Sequence, residues 1–459
     1  MVRRRFVNRT LSSGLLAYLI ASSQIIYARS SCGVEEIKSR DVIRAAQKLG
    51  ADLLRIVAKE NRSNIIISPL SILLPLHILL YAYEPSDKAH RQLAHYLGPA
   101  YSKAAEEGDG ARLHEATSKM VDCIRQSKGE RPSRSRRTKL GPTPKPPTNL
   151  TLNNVLIAEE QSSGDWTPSF KTGVRKYYHM QFERFSQSDR RSIASMCDRV
   201  NKLVSQQTSG AIDHVIDPSE MSQLAAIIMN VAYLKGTWLY QFENTHEKKF
   251  YNYGRNDEGK KTDFMTRQAP LQYLDLRRAS TGHAKTQSKL TSGKLPPDLK
   301  HIDCQVLSLP IDEGGLSMLI LLPTQPDGLD RLFGADISRI VQQLSRTQPK
   351  TVYVQLPKFI IDREYRMTDY VKQLGISALF DEPTRKGVVV GEITHKAKIN
   401  ITESGLEASA VTEIKLLKSS WDSLDSDPEV HFIADRPFMF AIVHSHQPAP
   451  VFMGQVVGM

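Results

Sequence analysis

Residues 403–420 read ESGLEASAVTEIKLLKSS, and the fold turns on how that stretch is understood. From 406 to 416 the even positions are Leu406, Ala408, Ala410, Thr412, Ile414 and Leu416. The odd positions between them are Glu407, Ser409, Val411, Glu413 and Lys415. A period of two sorts residues onto the two faces of an extended chain, so this is the pattern of a strand with one buried face. Yet it runs on into KSSWDSLDSDP (418–428), polar and punctuated like an exposed loop or a proteolytic site. The segment has the marks of both.

Outward from this stretch, the chain reads as one large mixed α+β domain. It has 459 residues, 40% apolar and 24% charged, enough to bury a sizeable core. Apolar residues at helical spacing predict a helix over 41–59, and the very apolar 71–83, opening after Ser68 and Pro69, predicts a buried one. Short β-rich runs lie at 150–158, 225–233, 316–322 and 352–356. They do not alternate regularly with helices, which excludes a doubly wound sheet. No internal repeat is visible.

The N-terminus has the outline of a secretory signal peptide over 1–28: basic MVRRRFVNR, then an apolar 11–26 ending at small residues. A retained signal anchor is the alternative. Secretion would permit one or two disulfides among Cys32, Cys123, Cys197 and Cys304, whose wide spacing argues against zinc. Sequons at Asn61, Asn149 and Asn400 suit the same compartment. The formal charge of +12 is concentrated in two Pro-, Ser- and Lys-rich segments: 128–145 has seven bases against one acid, and 277–300 six against one. Both read as exposed loop insertions, near 128–148 and 277–303.

Enzyme motifs are absent: no GxSxG, no Walker loop, no HExxH. His444 and His446 read as a polar turn before Pro448, since no third metal ligand lies nearby. Neither a metal nor a cofactor is expected.

NIIISPLSI (64–72), NVAYLKGTW (230–238), LSMLILLP (316–323), LPKF (356–359), HKA (395–397), RPF (436–438) and FMG (452–454) resemble, in order, the motifs of the serpin family. The match covers residues from about 41 to the C-terminus. The resemblance implies a single domain over 29–459, with three β-sheets, about eight or nine helices and an exposed reactive-centre loop. It also implies a suicide-substrate inhibitor of serine proteases, not an enzyme. That resolves the opening question. By that resemblance, the loop of a metastable state would become a central strand after cleavage.

Carried over residue by residue, the resemblance puts the hinge at Glu403, Gly405, Leu406, Ala408, Ser409, Ala410 and Thr412. The even residues would enter the core face, while Glu407, Ser409, Glu413 and Lys415 would face outward to solvent. Ser68, Ser71, Asn230 and His395 match the polar cluster beneath the main sheet. Lys358 matches the partner of Glu403, and Trp238 the aromatic residue below that pair. Two departures stand out: Leu406 where Thr or Ser is usual, and Ser404 where Glu is common. The scissile bond falls at Lys418-Ser419, which suits a trypsin-like protease, or at Ser419-Ser420 by the usual spacing from Gly405. A non-inhibitory serpin acting as a ligand carrier, chaperone or extracellular binding module is the rival.

The resemblance suggests two further features. Lys128, Arg131, Arg134, Arg136, Arg137 and Lys139 follow a helical stretch near which antithrombin-like serpins bind sulfated polysaccharide. A merely solvated loop, or a convertase-type cleavage site at 134–137, is the alternative. Cys32 and Cys123 resemble an N-terminal tether of the same group. The expected protein is a secreted, extracellular monomer partnered by a protease, with no nucleic-acid or membrane partner.

Overall fold

PLSILLPLHILLYA offers water no polar face, so the helix it forms, Pro69–Ala82, must be surrounded on all sides. Ser68 caps it by accepting a hydrogen bond from the Ser71 N–H, and Pro69 sits at its start, where no helical donor is needed. Leu70, Ile72, Leu73, Leu76 and Leu79 are all excluded from solvent.

A computed structural model of the chain describes residues 36–107, 110–125, 148–160, 168–221, 225–252, 258–277, 299, 302–311, 315–325, 328–384, 389–406 and 427–459. Its strands are β1 (Ile65–Ile67), β2 (Asn149–Glu159), β3 (Gln181–Phe185), β4 (Ala226–Thr237), β5 (Asn244–Phe250), β6 (Lys260–Asp275), β7 (Cys304–Ile311) and β8 (Leu316–Pro323). Then follow β9 (Lys350–Pro357), β10 (Phe359–Arg366), β11 (Glu392–Ile401), β12 (Gly405–Leu406), β13 (Val430–Ile433), β14 (Phe438–His444) and β15 (Pro450–Val456).

The main sheet runs β10-β11-β12-β4-β2-β3. A second network runs β1-β15-β14-β8-β7-β6-β9-β13, with β5 on β6. The three sheets expected appear as these two networks because the long β6 serves two of them: Gln272–Asp275 pairs with β7, and Phe264–Leu271 with β9. Eleven α-helices are described, two of them single turns at Leu329–Leu332 and Ala378–Asp381. At the C-terminus, a Cβ on Gly454 would come within 2.2 Å of the Ile65 carbonyl, so only glycine lets β1 lie against β15 there.

Both faces of β4 are covered. Its even residues Ala226, Ile228, Ala232 and Leu234 join the large core that holds the Pro69–Ala82 helix. The odd residues Ile227, Met229, Val231 and Tyr233 form a second core with Ile193, Met196, Cys197, Val200 and Val204 of the helix Arg190–Gln207. This corrects one expectation. The outward face of the main sheet beside β4 is roofed by a helix and is not open to solvent.

Candidate functional site

The candidate site is the seam between β11 and β4. These strands pair directly, in parallel, from Glu392 opposite Ile227 to Lys398 opposite Tyr233. Beyond that point β12 enters between them, with Leu406 opposite Gly236 and Gly405 opposite Thr237 on one side, and Leu406 opposite Ile401 on the other. Leu406 is fully buried in the large core. The first inward position of the opening stretch is therefore already a strand residue, and its Leu, a departure from the usual hydroxyl, fills an apolar site.

Gly405 makes this entry sterically feasible. A Cβ there would lie 2.1 Å from the Gly236 carbonyl oxygen and 2.7 Å from the Thr237 Cα. Around it the chain is tied down by backbone. Trp238 N–H donates to the Ser404 carbonyl (3.0 Å), Phe242 N–H to the Glu403 carbonyl (2.9 Å), and Thr402 N–H to the Gly405 carbonyl (3.0 Å). The Trp238 indole, buried and edge-to-face with Phe242, donates to the Thr402 carbonyl at 2.9 Å. Lys358 Nζ lies 3.1 Å from Glu403 Oε1, and the Thr245 hydroxyl donates to the same oxygen at 2.6 Å. Burial pushes the Glu403 carboxyl up, but hydrogen bonds from Thr245, the backbone and Lys358 together hold it below its ordinary range.

Lower in the seam Ser68, Ser71, Asn230 and His395 come together in one polar cluster. Ser68 N–H donates to His395 Nε2 (3.1 Å), which must therefore be unprotonated. In the neutral ring Nδ1 then carries the proton and donates to Asn230 Oδ1 at 2.5 Å. Full burial agrees, lowering the His395 pKa to about 3. Asn230 Nδ2 lies against the Ser71 carbonyl (2.8 Å), Ser71 Oγ (2.6 Å) and Asn154 Oδ1 (2.7 Å). Ser68 Oγ donates to the Val451 carbonyl at 2.6 Å. The His395–Asn230 bond spans the seam and ties β11 to β4.

Two members were not named from sequence. Asn154 sits opposite Asn230 on β2, and the Tyr365 ring on β10 stacks on His395 (6.3 Å between centroids, 12° between planes). The Asn153-Asn154 pair inside an otherwise apolar strand was the available signal for the first. Only the β10–β11 register reveals the second.

On the outward face, Lys396 and Lys398 of β11 donate to the carbonyls of His214 (2.8 Å) and Ala211 (2.9 Å) in the linker after the roofing helix. They also pair with Glu364 (3.3 Å) and Asp362 (3.4 Å) of β10.

The remaining expected residues divide as follows. Ala408, Ser409, Ala410, Thr412, Lys418, Ser419 and Ser420 lie outside the described residues. So do Lys128, Arg131, Arg134, Arg136, Arg137 and Lys139, the segment 1–28, and Cys32. Cys123 is disulfide-bonded, and Cys197 and Cys304 are buried thiols. Asn61 and Asn149 are exposed and Asn400 is partly so. His444 ends β14, buried, its Nδ1 accepting from the N–H groups of His446 (3.3 Å) and Gln447 (3.1 Å). Among the described residues no group of three or more His, Cys, Asp or Glu could hold a metal ion.

Comparison with known proteins agrees with this architecture. The chain is 28% identical over 269 residues to Iripin-5 of Ixodes ricinus, covering 56% of this chain and 61% of that protein. It is 26% identical over 316 residues to heparin cofactor 2 of Oryctolagus cuniculus, covering 67% of this chain and 58% of that protein. The matches thus span about six tenths of the length of these two relatives. Among solved structures, native protease nexin-1 with heparin superposes with a TM-score of 0.66 at 22% identity, covering 91% of this chain and 99% of that one. The family model described as Serpin (serine protease inhibitor) matches residues 44–459, and the chain belongs to the serpin family.

Proposed function

We propose that this chain is a secreted inhibitor of a trypsin-like serine protease that acts as a suicide substrate. The protease serine would attack the Lys418 carbonyl, or that of Ser419, forming an ester and releasing the amine of the next residue. The protease supplies the nucleophile and the base, so this chain does no catalysis. The cleaved loop would then enter the β11–β4 seam as a new strand, carrying the acylated protease with it before the ester is hydrolysed.

The observation that carries this reading is the register of β12. Continuing it antiparallel along both neighbours sets Ala408 between Leu234 and Ile399, and Ala410 between Ala232 and Ala397. Thr412 falls between Asn230 and His395, and Ile414 between Ile228 and Ile393. Side chains directly opposite one another share a face, so the inward row of the loop meets the inward rows of its neighbours. The match extends to chemistry. Apolar residues fall beside the apolar neighbours of both strands, and the single polar inward residue falls at the polar cluster.

That coincidence supplies a mechanism for opening. Separating β11 from β4 by one strand width, about 4.8 Å, must break the His395–Asn230 bond. A buried donor and acceptor left unpaired would cost about 1–3 kcal/mol each. The Thr412 hydroxyl offers one donor and one acceptor at that level, enough to accept from His395 Nδ1–H and donate to Asn230 Oδ1.

The basic segment 128–139 suits a sulfated polysaccharide, and two similar proteins are heparin cofactor 2 and protease nexin-1, the latter solved with heparin. Counterion release would make such binding strongly salt-dependent. Deleting 128–145 should lower the salt needed to elute the protein from a heparin column. One observation favours the non-inhibitory alternative: Leu406 is already held in the sheet, where a bulky residue tethers the loop. Incubation with trypsin-like and chymotrypsin-like proteases, followed by denaturing electrophoresis, separates the two. A stable increase of one protease mass supports inhibition, and a clipped band alone refutes it.

A further inference from the structure

The outward row of the edge pair β10–β11 follows from its register. Glu364 faces Lys396, Asp362 faces Lys398 and Ile360 faces Asn400. The first two are ion pairs, so charge guards most of this row. The guard stops at Ile360, which is 62% exposed, the only large hydrophobic residue so exposed among those described. β10 is the terminal strand of the main sheet and pairs only with β11 among the described strands. An exposed apolar side chain on such a strand invites pairing with another chain, and natural edges place charge or cover there.

Opposite Ile360, Asn400 is partly exposed, and its side chain makes no hydrogen bond with any described residue. Asn is a poor strand former, and here neither packing nor pairing explains it. It heads the sequon Asn400-Ile401-Thr402. Thr402 has a structural role of its own, its hydroxyl donating to the Gly405 carbonyl at 3.0 Å, so the threonine alone argues nothing. The unpartnered asparagine and the unguarded isoleucine beside it are the two independent observations.

We propose that Asn400 carries an N-linked glycan that lies over Ile360 and completes the guard on this edge. Directly opposed strand side chains stand about 5 Å apart at Cβ, so the first sugar would rest its apolar ring face on the isoleucine. The transfer joins Asn400 Nδ2 to the anomeric carbon of an oligosaccharide carried on a polyprenyl diphosphate. The diphosphate leaves with the bonding pair, and the amide gives up one proton. The glycan would point away from the core face and stay clear of the inward row used by an inserting strand. The proposal rests on the secretory reading, because the transfer belongs to that compartment.

The full chain, expressed in a eukaryotic secretory host, would be mapped by peptide mass spectrometry before and after N-glycosidase treatment, which converts a formerly glycosylated Asn to Asp. Asn400 is expected to be occupied. Asn61 and Asn149 report the compartment in the same digest. A bare Asn400 beside an occupied Asn61 or Asn149 overturns the proposal alone, whereas three bare sites overturn it together with the secretory reading. The covering role is tested by Asn400→Gln, which should elute later from a hydrophobic-interaction column, and by adding Ile360→Ser, which should restore wild-type retention. Unchanged retention of Asn400→Gln refutes that role.

Discussion

Replacing Ala410 with arginine tests the inserted-strand register most directly. Ala410 is predicted to come between Ala232 and Ala397, both fully buried in the large core. An arginine there would be dehydrated without an acid in reach, since the nearest inward neighbours along β4 are Leu234 and Asn230. The cost of an unpaired buried charge is several kcal/mol. If about 4 kcal/mol opposes insertion and half of it is felt in the transition state, insertion slows by about thirtyfold at 1.36 kcal/mol per decade. Ester hydrolysis is untouched, so it would win the competition.

The assay is the stoichiometry of inhibition against a trypsin-like protease, with the initial rate of loop cleavage as a control. Ala410→Arg should leave that rate unchanged and raise the moles of inhibitor consumed per protease by roughly tenfold or more. The proper comparison is Glu407→Arg, not a change at Ser409. By the same register Ser409 falls opposite Tyr233, beneath the roofing helix, whereas Glu407 falls opposite Lys235 and the partly exposed Asn400. Glu407→Arg should cost no more than about 1 kcal/mol. Equal loss of inhibition in both variants would refute the register.

Thr412→Val keeps shape but removes the hydroxyl meant to bridge His395 and Asn230. It should raise the stoichiometry of inhibition while leaving the melting temperature of the uncleaved protein unchanged, and a drop in that temperature would count against the argument. Lys358→Met frees Glu403 at the mouth of the seam. It should cost about 1 kcal/mol in a denaturant titration and speed polymer formation on native gels. His395 is held neutral by burial, with a pKa of about 3 against about 6.5 unfolded, so the unfolded chain takes up the proton first as pH falls. The stability this provides is complete above pH 6.5 and is lost progressively towards pH 3. At pH 5 the loss is about 2 kcal/mol, and His395→Gln should flatten that part of the pH–stability curve. Burial likewise lowers His114 to about 4, so a residual slope should survive in that variant.

What was legible from sequence follows the range of the interactions. The helix Pro69–Ala82 and strands β2, β4, β8 and β9 are written in local periodicity, and their bounds shift by only a few residues. Ser68, Ser71, Asn230 and His395 lie as much as 327 positions apart and were brought together by the order of motifs, because no local pattern joins them. Asn154 and Tyr365 escaped because each acts through the register of a neighbouring strand. The outward row was misjudged for a similar reason. Alternation in a strand tells which residues share a face, but not whether that face meets water or a helix from elsewhere in the chain.

The roof would constrain the proposed insertion. Lys396 and Lys398 grip the linker after the Arg190–Gln207 helix through the carbonyls of His214 and Ala211, and Asn201 binds the same linker at Val215 and Ile216. A strand entering between β11 and β4 carries Lys398 away from Tyr233, so the helix cannot keep its seat on β4 and its hold on β11 together. The barrier to the proposed insertion would thus have two parts, a buried hydrogen bond across the seam and a clamp above it. What would drive the proposed change is the backbone. Opening would break one parallel ladder and insertion would form two antiparallel ones, and antiparallel pairing is slightly the stronger per residue. The inward row of 406–416 contributes because each residue meets a neighbour of its own kind. Leu406, the bulkiest of the leading positions, has already collected its share of that burial, which fixes where the strand begins and the register in which the rest must follow.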